Sequence, residues 1–342
     1  MIRSLRSHLG LLALAALSSG AAYGQVSSQL PISRVAGMVD VSVPANAFTY
    51  VGLPFIKAPI ASGELTAISG TTLTDSTASF GDLTTTPHAV QIIGGPGDGS
   101  IRRITASTGT TITIDSAVSG LVASLSRYEI IPEWTLGGVL GATNQAGLTG
   151  GTSAGLADKV QVEVDGVIAT YFYKLAAPPF DLTTGWRLVS APTGADQAGA
   201  RIPLKGGLAI SRIAGSTLTL TLHGVTRAGT QRSVLKTGQN ILTNPFAFST
   251  TLGASGLQAA ITGGTSAGVA DQVRLESGGV ISSYFFKLAA PPFDLTTGWR
   301  LVSAPAGADQ AGTSIPSGKA FIVRRLGADT EWTAQETFVT GP

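Results

Sequence analysis

The segment KLAAPPFDLTTGWRLVSAP occupies residues 174–192 and returns without one change at residues 287–305. A shift of 113 positions, the difference between Trp299 and Trp186, also aligns the flanking residues from GGTSAG to GADQAG without a gap. Self-similarity at a fixed spacing is the signature of a repeated structural unit. We therefore predict two copies of one unit, in which the repeated segment serves either as scaffold or as a site.

Hydrophobic residues inside the unit recur with a period of two. Val160, Val162 and Val164 alternate with polar residues, a pattern typical of half-buried β-strands. Glycine and proline interrupt the chain at short intervals, which leaves little room for helices. We predict an all-β fold of tandem β-sandwich or barrel-like repeats, with an additional small β module near the N-terminus.

The region before the first repeat contains two similar hairpin-forming pieces, ELTAISGTTLTDS and RITASTGTTITIDS. The later segment NPFAFSTTLGASGL echoes both GLPFIKAPIASGEL and EWTLGGVLG, which lie on either side of these pieces. This split echo indicates a module inserted into the first unit and missing from the second. The predicted limits are 1–24 for a signal peptide, 25–65 for the N-terminal strands of the first unit, 66–131 for the inserted module, 132–227 for the first repeat and 228–342 for the second.

The first residues have the pattern of an export signal. Arg3 and Arg6 precede an apolar run at residues 9–17, and small residues follow as far as Gly24. The run is shorter than the roughly 20 residues that span a bilayer, so a retained anchor is the less favoured alternative. We expect cleavage after Gly24 and a secreted protein, extracellular or in the cell envelope, with no membrane insertion after the signal is removed.

The composition restricts the partners of the protein. The chain has no cysteine, so disulfides and thiolate metal sites are excluded. Removal of Arg3 and Arg6 with the signal leaves 20 of the 22 basic residues against 20 acidic ones, a net charge of zero. Such a surface does not attract nucleic acid and does not repel its own copies. We therefore predict no nucleic-acid partner, and either self-association or cell-surface glycans as partners.

The second copy carries, in order, NPF, TLG, ADQV, YFF, GWRLV and IPSGKAFIVR. This order resembles an uncharacterised paralogous family of secreted bacterial proteins, whose members repeat an aromatic pair, a Trp and a closing Gly-x-x-Phe-x-x-Arg. The first copy departs from the pattern at Leu208, where Phe is preferred. The resemblance implies secretion and β repetition, and it implies no reaction, ligand or catalytic residue.

The motif GTSAG, at residues 151–155 and 264–268, fits the G-x-S-x-G of serine hydrolases and resembles the nucleophile motif of patatin-like lipases. A nucleophile elbow needs a strand before the serine and a helix after it. Turn-like residues precede Ser153, and an alternating strand pattern follows it. The aspartate of a patatin-like dyad would be Asp165, which is replaced by Gly278 in the second copy. We therefore favour a turn.

Cofactor and metal motifs are equally weak. GGPGDGSIRR, which ends at Arg102 and Arg103, lacks the Lys-Ser/Thr of a phosphate-binding loop and precedes a strand pattern, so we predict a hairpin turn. The mature chain contains only His88 and His223, which form no zinc motif, and no calcium-loop pattern occurs. We predict no metal and no cofactor.

Several carboxylates recur between the copies. They are Asp158 with Asp271, Glu163 with Glu276, Asp181 with Asp294 and Asp196 with Asp309. Glycoside hydrolysis needs an acid and a base in different environments, and duplicated surroundings argue against such a pair. Asp196 and Asp309 are favoured as turn caps. We predict no enzyme, and a polysaccharide hydrolase stays a third alternative.

The repeated aromatic residues decide between the two leading functions. The candidate ligand-stacking residues are Trp186, Trp299, Tyr171 and Tyr284, while alternation places Phe172 and Phe285 on the opposite face of their strands. These rings either fill a core or contact between modules, which we favour, or stack on sugars. The leading function is a secreted, non-catalytic structural protein of a matrix or cell-surface layer. The alternative is a glycan-binding module that uses these aromatic faces.

Overall fold

The computed structural model describes residues 34–292 and 294–336 of the chain. Within these residues the secondary structure is almost entirely β, with 26 strands, two short α-helices and two short 3-10 helices. The all-β fold predicted from the sequence is confirmed. The predicted signal peptide, residues 1–24, lies outside the described residues.

The chain starts the first unit, leaves it for the module and later returns. Three strands open the unit: β1 (Ala36–Val43), β2 (Phe48–Gly52) and β3 (Phe55–Ile56). The module then contributes β4 (Ala61–Glu64), β5 (Ala67–Ser69), β6 (Thr72–Thr74), β7 (His88–Ile93), β8 (Ile101–Ser107), β9 (Thr111–Ile114), the 3-10 helix Ala123–Leu125 and β10 (Arg127–Pro132). These seven strands form one sheet in the order β4-β10-β7-β8-β9-β6-β5, over a core of their own.

The two ends of the module lie side by side. Strand β4 pairs with β10, so the module sheet begins at Ala61, earlier than the predicted limit of 66. Just outside the sheet, Lys57 Nζ donates to the Glu133 carbonyl at 2.9 Å. The indole of Trp134 donates to the Phe55 carbonyl at 3.0 Å. The stretches of the first unit that flank the module are therefore adjacent, as an insertion requires.

The rest of the first unit follows the module. Its elements are β11 (Trp134–Thr135), α1 (Leu136–Leu140), the 3-10 helix Ala154–Leu156, β12 (Lys159–Val164), β13 (Val167–Lys174), β14 (Gly185–Leu188), β15 (Arg201–Ile202), β16 (Gly207–Ser211) and β17 (Leu218–Thr226). Five strands form an antiparallel sheet, sheet 1, in the order β14-β13-β12-β16-β2. Strand β17 lies between β1 and β3, and β11 pairs with β15.

The second unit repeats this arrangement. Its elements are β18 (Gln231–Leu235), β19 (Gly238–Thr243), β20 (Thr250–Thr251), α2 (Leu257–Ala260), β21 (Gln272–Ser277), β22 (Val280–Lys287), β23 (Gly298–Leu301), β24 (Ser314–Ile315), β25 (Ala320–Arg325) and β26 (Thr330–Ala334). Sheet 2 has the order β23-β22-β21-β25-β19, strand for strand the order of sheet 1. The β18–β26 and β20–β24 pairs match β1–β17 and β11–β15. Only residues 244–249 connect β19 to β20, where the first unit carries the module.

One face of each sheet covers the core of its own unit. Trp186 in sheet 1 and Trp299 in sheet 2 are 0% and 1% exposed. Each packs edge-on against the ring beside it on the neighbouring strand, Tyr173 at 5.5 Å and Phe286 at 5.7 Å between centroids. The period-two alternation of the strands places these rings and the buried valines on the same side.

The opposite face of each sheet packs against the other unit. This inter-unit face consists of Tyr50, Ala209, Ile241, Ala320 and Ile322, all buried together. Strand β2 of the first unit contacts β25 of the second, and the equivalent strands, β19 and β16, contact each other in the reverse direction. Such reciprocal contacts are those of two subunits related by a two-fold axis. Both faces of each sheet are thereby removed from water.

Main-chain hydrogen bonds complete this contact. The Gly52 amide donates to the Gly318 carbonyl at 2.8 Å, and at the matching place the Thr243 amide donates to the Lys205 carbonyl at 2.9 Å. Gly207 permits the close approach, because a Cβ there would lie 2.8 Å from the Cβ of Ala320. The two units therefore form one body with a shared core layer.

We predict that Trp186→Ala and Trp299→Ala each lower the free energy of unfolding by about 3–5 kcal/mol, the range for deletion of a buried large aromatic side chain. Substitution by phenylalanine should have different effects on stability at the two sites. The Trp186 indole donates to the Gly141 carbonyl at 2.9 Å, whereas the buried Trp299 Nε1 has no partner among the described residues. Trp186→Phe should therefore cost about 1 kcal/mol more than Trp299→Phe.

Urea denaturation of the four variants measures these differences. Midpoints close to wild type for both alanine variants would contradict the placement of the rings in the core. Equal costs for the two phenylalanine variants would contradict the difference in their indole hydrogen bonds.

Candidate functional site

The four rings considered for ligand stacking lie in the cores of the units. Trp186, Trp299, Tyr171 and Tyr284 are all buried. Phe172 and Phe285, on the opposite face of their strands, are fully buried too. Stacking of a sugar on any of these rings would require the unit to open, so a binding surface has to be sought elsewhere.

The recurring acids Asp158 and Asp271 hold the scaffold at matching places. Asp158 lies 3.1 Å from Arg212 Nε and accepts the amides of Thr149 and Ile213, each at 2.8 Å. Asp271 lies 3.0 Å from Arg325 Nη1 and accepts the amides of Thr262 and Leu326, each at 2.7 Å. Both carboxylates are buried and fully engaged, since each tethers a strand end and a loop of its unit.

Glu163 and Glu276 cap the turns of two equivalent hairpins. Glu163 accepts the Gly166 amide at 2.6 Å, and Glu276 accepts the Gly279 amide at 2.8 Å. Each also faces one lysine, Lys205 at 3.5 Å and Lys319 at 2.8 Å respectively. The charges are therefore offset at both places.

Asp181 and Asp294 belong to the repeated segment itself. Asp181 accepts hydrogen bonds from the buried Lys174 amine and from Thr183, and Asp294 accepts the equivalent bonds from Lys287 and Thr296. These bonds, the lysine bond first, hold the pKa of both carboxyls well below the usual range. The loop after β13 is thus tied to the end of that strand.

Asp196 and Asp309 cover the outer edges of the two sheets. The Trp186 amide donates to Asp196 Oδ1 at 3.0 Å, and the Gln197 amide donates back to the Trp186 carbonyl at 2.9 Å. Asp309 makes the equivalent bond to the Trp299 amide at 2.9 Å. The loop after each edge strand therefore occupies groups that would otherwise pair with another chain.

The hydrolase-like motif does not assemble a dyad in the structure. Ser153 precedes the 3-10 helix Ala154–Leu156, in a loop whose Gly151 amide donates to the Tyr173 carbonyl at 3.0 Å. Asp165 lies in the β12–β13 turn, at the opposite end of that hairpin. The GTSAG loop is thus hydrogen-bonded to the end of β13. The glycine-rich segment GGPGDG forms the turn that connects β7 to β8.

A charged cleft lies where the module and both units meet. Its charged lining consists of Arg102, Arg103, Arg201, Lys205, Lys236, Asp115, Glu133 and Asp165. Arg102 from the module pairs with Glu331 of the second unit at 2.8 Å, and Arg103 pairs with Asp165 of the first unit at 3.3 Å. Burial lowers the pKa of Lys205. The ion pairs join the three parts of the chain and leave little uncompensated charge for a ligand.

The exposed part of the repeated segment is apolar. Phe180 is 96% exposed and Leu182 is 73% exposed, and Leu295, the counterpart of Leu182, is 72% exposed. They lie in the β13–β14 connection and its equivalent, beside the GTSAG loop. We define tip 1 as Leu156, Leu175, Phe180 and Leu182, and tip 2 as Val269, Leu288 and Leu295, all of them exposed. No local sequence pattern marks these residues as exposed.

Comparisons with protein-family models, with curated proteins and with solved structures find no match for this chain. The resemblance to a family of secreted repeat proteins therefore stays a prediction. Within residues 34–292 and 294–336, no three His, Asp or Glu side chains are grouped so as to hold a metal ion. In the same residues, no helix has the length and apolar character needed to cross a membrane.

We predict that the Asp181 and Asp294 carboxyls stay ionised at about pH 3, where an ordinary aspartate with a pKa near 3.9 is mostly protonated. Because the folded-state pKa is the lower one, their stabilisation is present above about pH 4 and is lost only as the pH falls through the lowered pKa. Carboxyl-carbon NMR in an acid titration measures this directly.

Lys174→Met provides a matched comparison within one molecule. It removes the strongest cause of the shift at Asp181, so that pKa should rise while the pKa of Asp294 stays unchanged. Titration of Asp181 near 3.9 in the wild-type protein would contradict the hydrogen bonding described here.

Proposed function

We propose that this protein is an exported, non-catalytic structural protein of an extracellular matrix, cell-surface layer or envelope. We further propose that copies of the chain bind one another through tips 1 and 2. The observation that carries the proposal is the duplicated tip, because the same exposed apolar loop is presented once by each unit. The predicted signal peptide supports export.

The non-catalytic part rests on how the recurring acids are used. Each acid of the four recurring pairs forms an ion pair with a lysine or arginine. Each also accepts a main-chain amide that holds a loop or a strand end. A catalytic acid and base need one raised pKa and one ordinary pKa in different environments. The matching environments of Asp181 and Asp294, both with lowered pKa, favour a structural role instead.

The tips have the character of an interaction surface. Contiguous exposed apolar side chains on a soluble protein mark places where it contacts another molecule. The side chains of Phe180 and Leu182 are uncharged, and the neighbouring Lys174 is neutralised by Asp181. A neutral apolar patch is complementary to itself, and the mature chain with a net charge of zero does not repel its copies.

Two like tips make the chain bivalent. If tips pair with tips, each chain binds two others, and the assembly extends beyond a pair of chains. Association through the outer edges of sheets 1 and 2 is disfavoured, because Asp196 and Asp309 cover those edges. The proposed assembly therefore grows through loops at the sheet ends rather than by strand addition.

Sedimentation velocity over a range of concentrations tests this function. The wild-type chain should form species of increasing size. Phe180→Ser with Leu182→Ser inactivates tip 1 and should limit assembly to dimers through tip 2. Adding Val269→Ser and Leu295→Ser should leave monomers. Because all four residues are exposed, each change should alter stability by no more than about 0.5 kcal/mol.

Met38→Ser is the control, since Met38 is 70% exposed on β1 and belongs to neither tip. It should assemble like the wild type. A wild-type chain that stays monomeric at about 1 mM, or tip variants that assemble normally, would contradict the proposal. Turnover of a polysaccharide that is abolished by one Asp or Glu substitution would support the hydrolase instead.

A further inference from the structure

An open apolar groove lies on the first unit beside α1. Leu53, Phe55, Val139 and Leu222 form its floor and sides, and Trp134 and the exposed His223 stand at its rim. The Trp134 ring is fixed in place, because its Nε1 donates to the Phe55 carbonyl at 3.0 Å and Lys57 Nζ lies 5.1 Å from the ring centroid. The groove is therefore formed before any ligand arrives.

The second unit has a pocket at the matching place. Its lining includes Asn244, Phe246, Ser255, Ala334 and Gln335, the counterparts of Leu53, Phe55, Val139, Leu222 and His223. Strand pairing also makes Trp332 the counterpart of Leu220. The pair β18–β26 matches the pair β1–β17, and Trp332 lies opposite Ser233 as Leu220 lies opposite Val41.

A tryptophan side chain forms one wall of this pocket in the second unit and narrows it. Trp332 is buried, donates its Nε1–H to the Ser255 carbonyl at 2.8 Å and packs edge-on against Phe321. The first unit has the smaller Leu220 at this position. The space between the lining atoms, with its open mouth, is ≈ 400 Å³ in the first unit and ≈ 240 Å³ in the second. The groove of the first unit is thus the wider of the two.

We propose that the groove of the first unit binds a small planar aromatic molecule with one N–H or O–H donor, of about the size of indole. The second unit displays the chemistry that fits, since an indole there donates to the main-chain carbonyl of Ser255, just before α2. The equivalent carbonyl in the first unit belongs to Val139. Because Leu222 replaces the smaller Ala334, the bound ring lies nearer the mouth, against the ring of Trp134.

This inference does not depend on the proposed structural function, since the groove and the tips share no residue. A ligand of so few atoms binds weakly, with a Kd on the order of 1 mM. The probe is 5-fluoroindole, followed by ¹⁹F NMR as the full mature chain is added. The expected result is a saturable shift with one site per chain.

Two variants should narrow the groove. Leu220→Trp introduces the residue of the second unit two positions from the lining residue Leu222. Gly138→Leu places a side chain at the mouth, where a Cβ would lie 3.0 Å from Thr135 Oγ1 and 4.0 Å from the Trp134 ring. Each should weaken binding at least about tenfold. Leu220 is buried, so binding by its variant is measured only after circular dichroism shows that the variant is folded. Gly138 is exposed, so Gly138→Leu tests the groove even if Leu220→Trp does not fold.

Gly199→Leu is the matched control, because nothing lies within 4 Å of a Cβ at that position. It should bind like the wild type. A probe methylated on the indole nitrogen should bind about fivefold more weakly or worse, since it has no donor. No saturable shift up to about 10 mM probe, or unchanged binding in the folded groove variants, overturns the proposal. Equal affinity for the methylated probe overturns the assigned hydrogen bond.

Discussion

The structure depends on the burial of both faces of each five-stranded sheet. Successive side chains of a β-strand point to opposite faces of its sheet. A run of consecutive apolar residues in a strand is therefore stable only where both faces of the sheet are buried. Strand β25 shows this, because Phe321 and Val323 enter the core of the unit while Ala320 and Ile322 meet the other unit. A single unit would expose that second face to water, and the duplicate unit covers it.

The repeated segment is consistent with this constraint. Its Trp186 fills the core, and the Trp186 main chain is bonded by the loop that covers the sheet edge. Lys174 and Asp181 fix the loop between β13 and β14, and Phe180 projects from that loop into solvent. One segment thus supplies a core residue, a protected edge and an exposed tip. We propose that the first two make the unit stable and that the third gives it a partner.

Much of the fold follows from local patterns in the sequence. Val160 and Val162 alternate with polar residues, which is typical of a β-strand with one buried face. The identical sequence around Trp186 and Trp299 predicts matching positions for the two side chains, and the structure places each in the core of its own unit. The inter-unit face is not predictable in this way, because Tyr50 and Ala209 become neighbours only after sheet pairing. The sequence of a loop also does not show which of its apolar residues are buried. Phe180 is exposed, and no residue pattern around it distinguishes it from a buried phenylalanine.

The candidate sites were harder still to predict, since their residues are distant in the chain. Asp158 meets Arg212, 54 positions away, and no local motif marks that pair. The groove depends on the match between Leu220 and Trp332. A constant shift does not align these two residues, because Leu220 follows Arg212 by 220 − 212 = 8 positions whereas Trp332 follows Arg325 by 332 − 325 = 7. Strand pairing reveals the match, and the pattern of residue types does not.

The most direct test of this account is amide hydrogen exchange at Gly52 and Thr243, whose N–H groups cross between the two units. If the units share one core layer, both amides exchange as slowly as those in the centre of sheets 1 and 2. Exchange at the rate of an open turn, such as that at Gly278, would show that the second face of each sheet is not held against its partner.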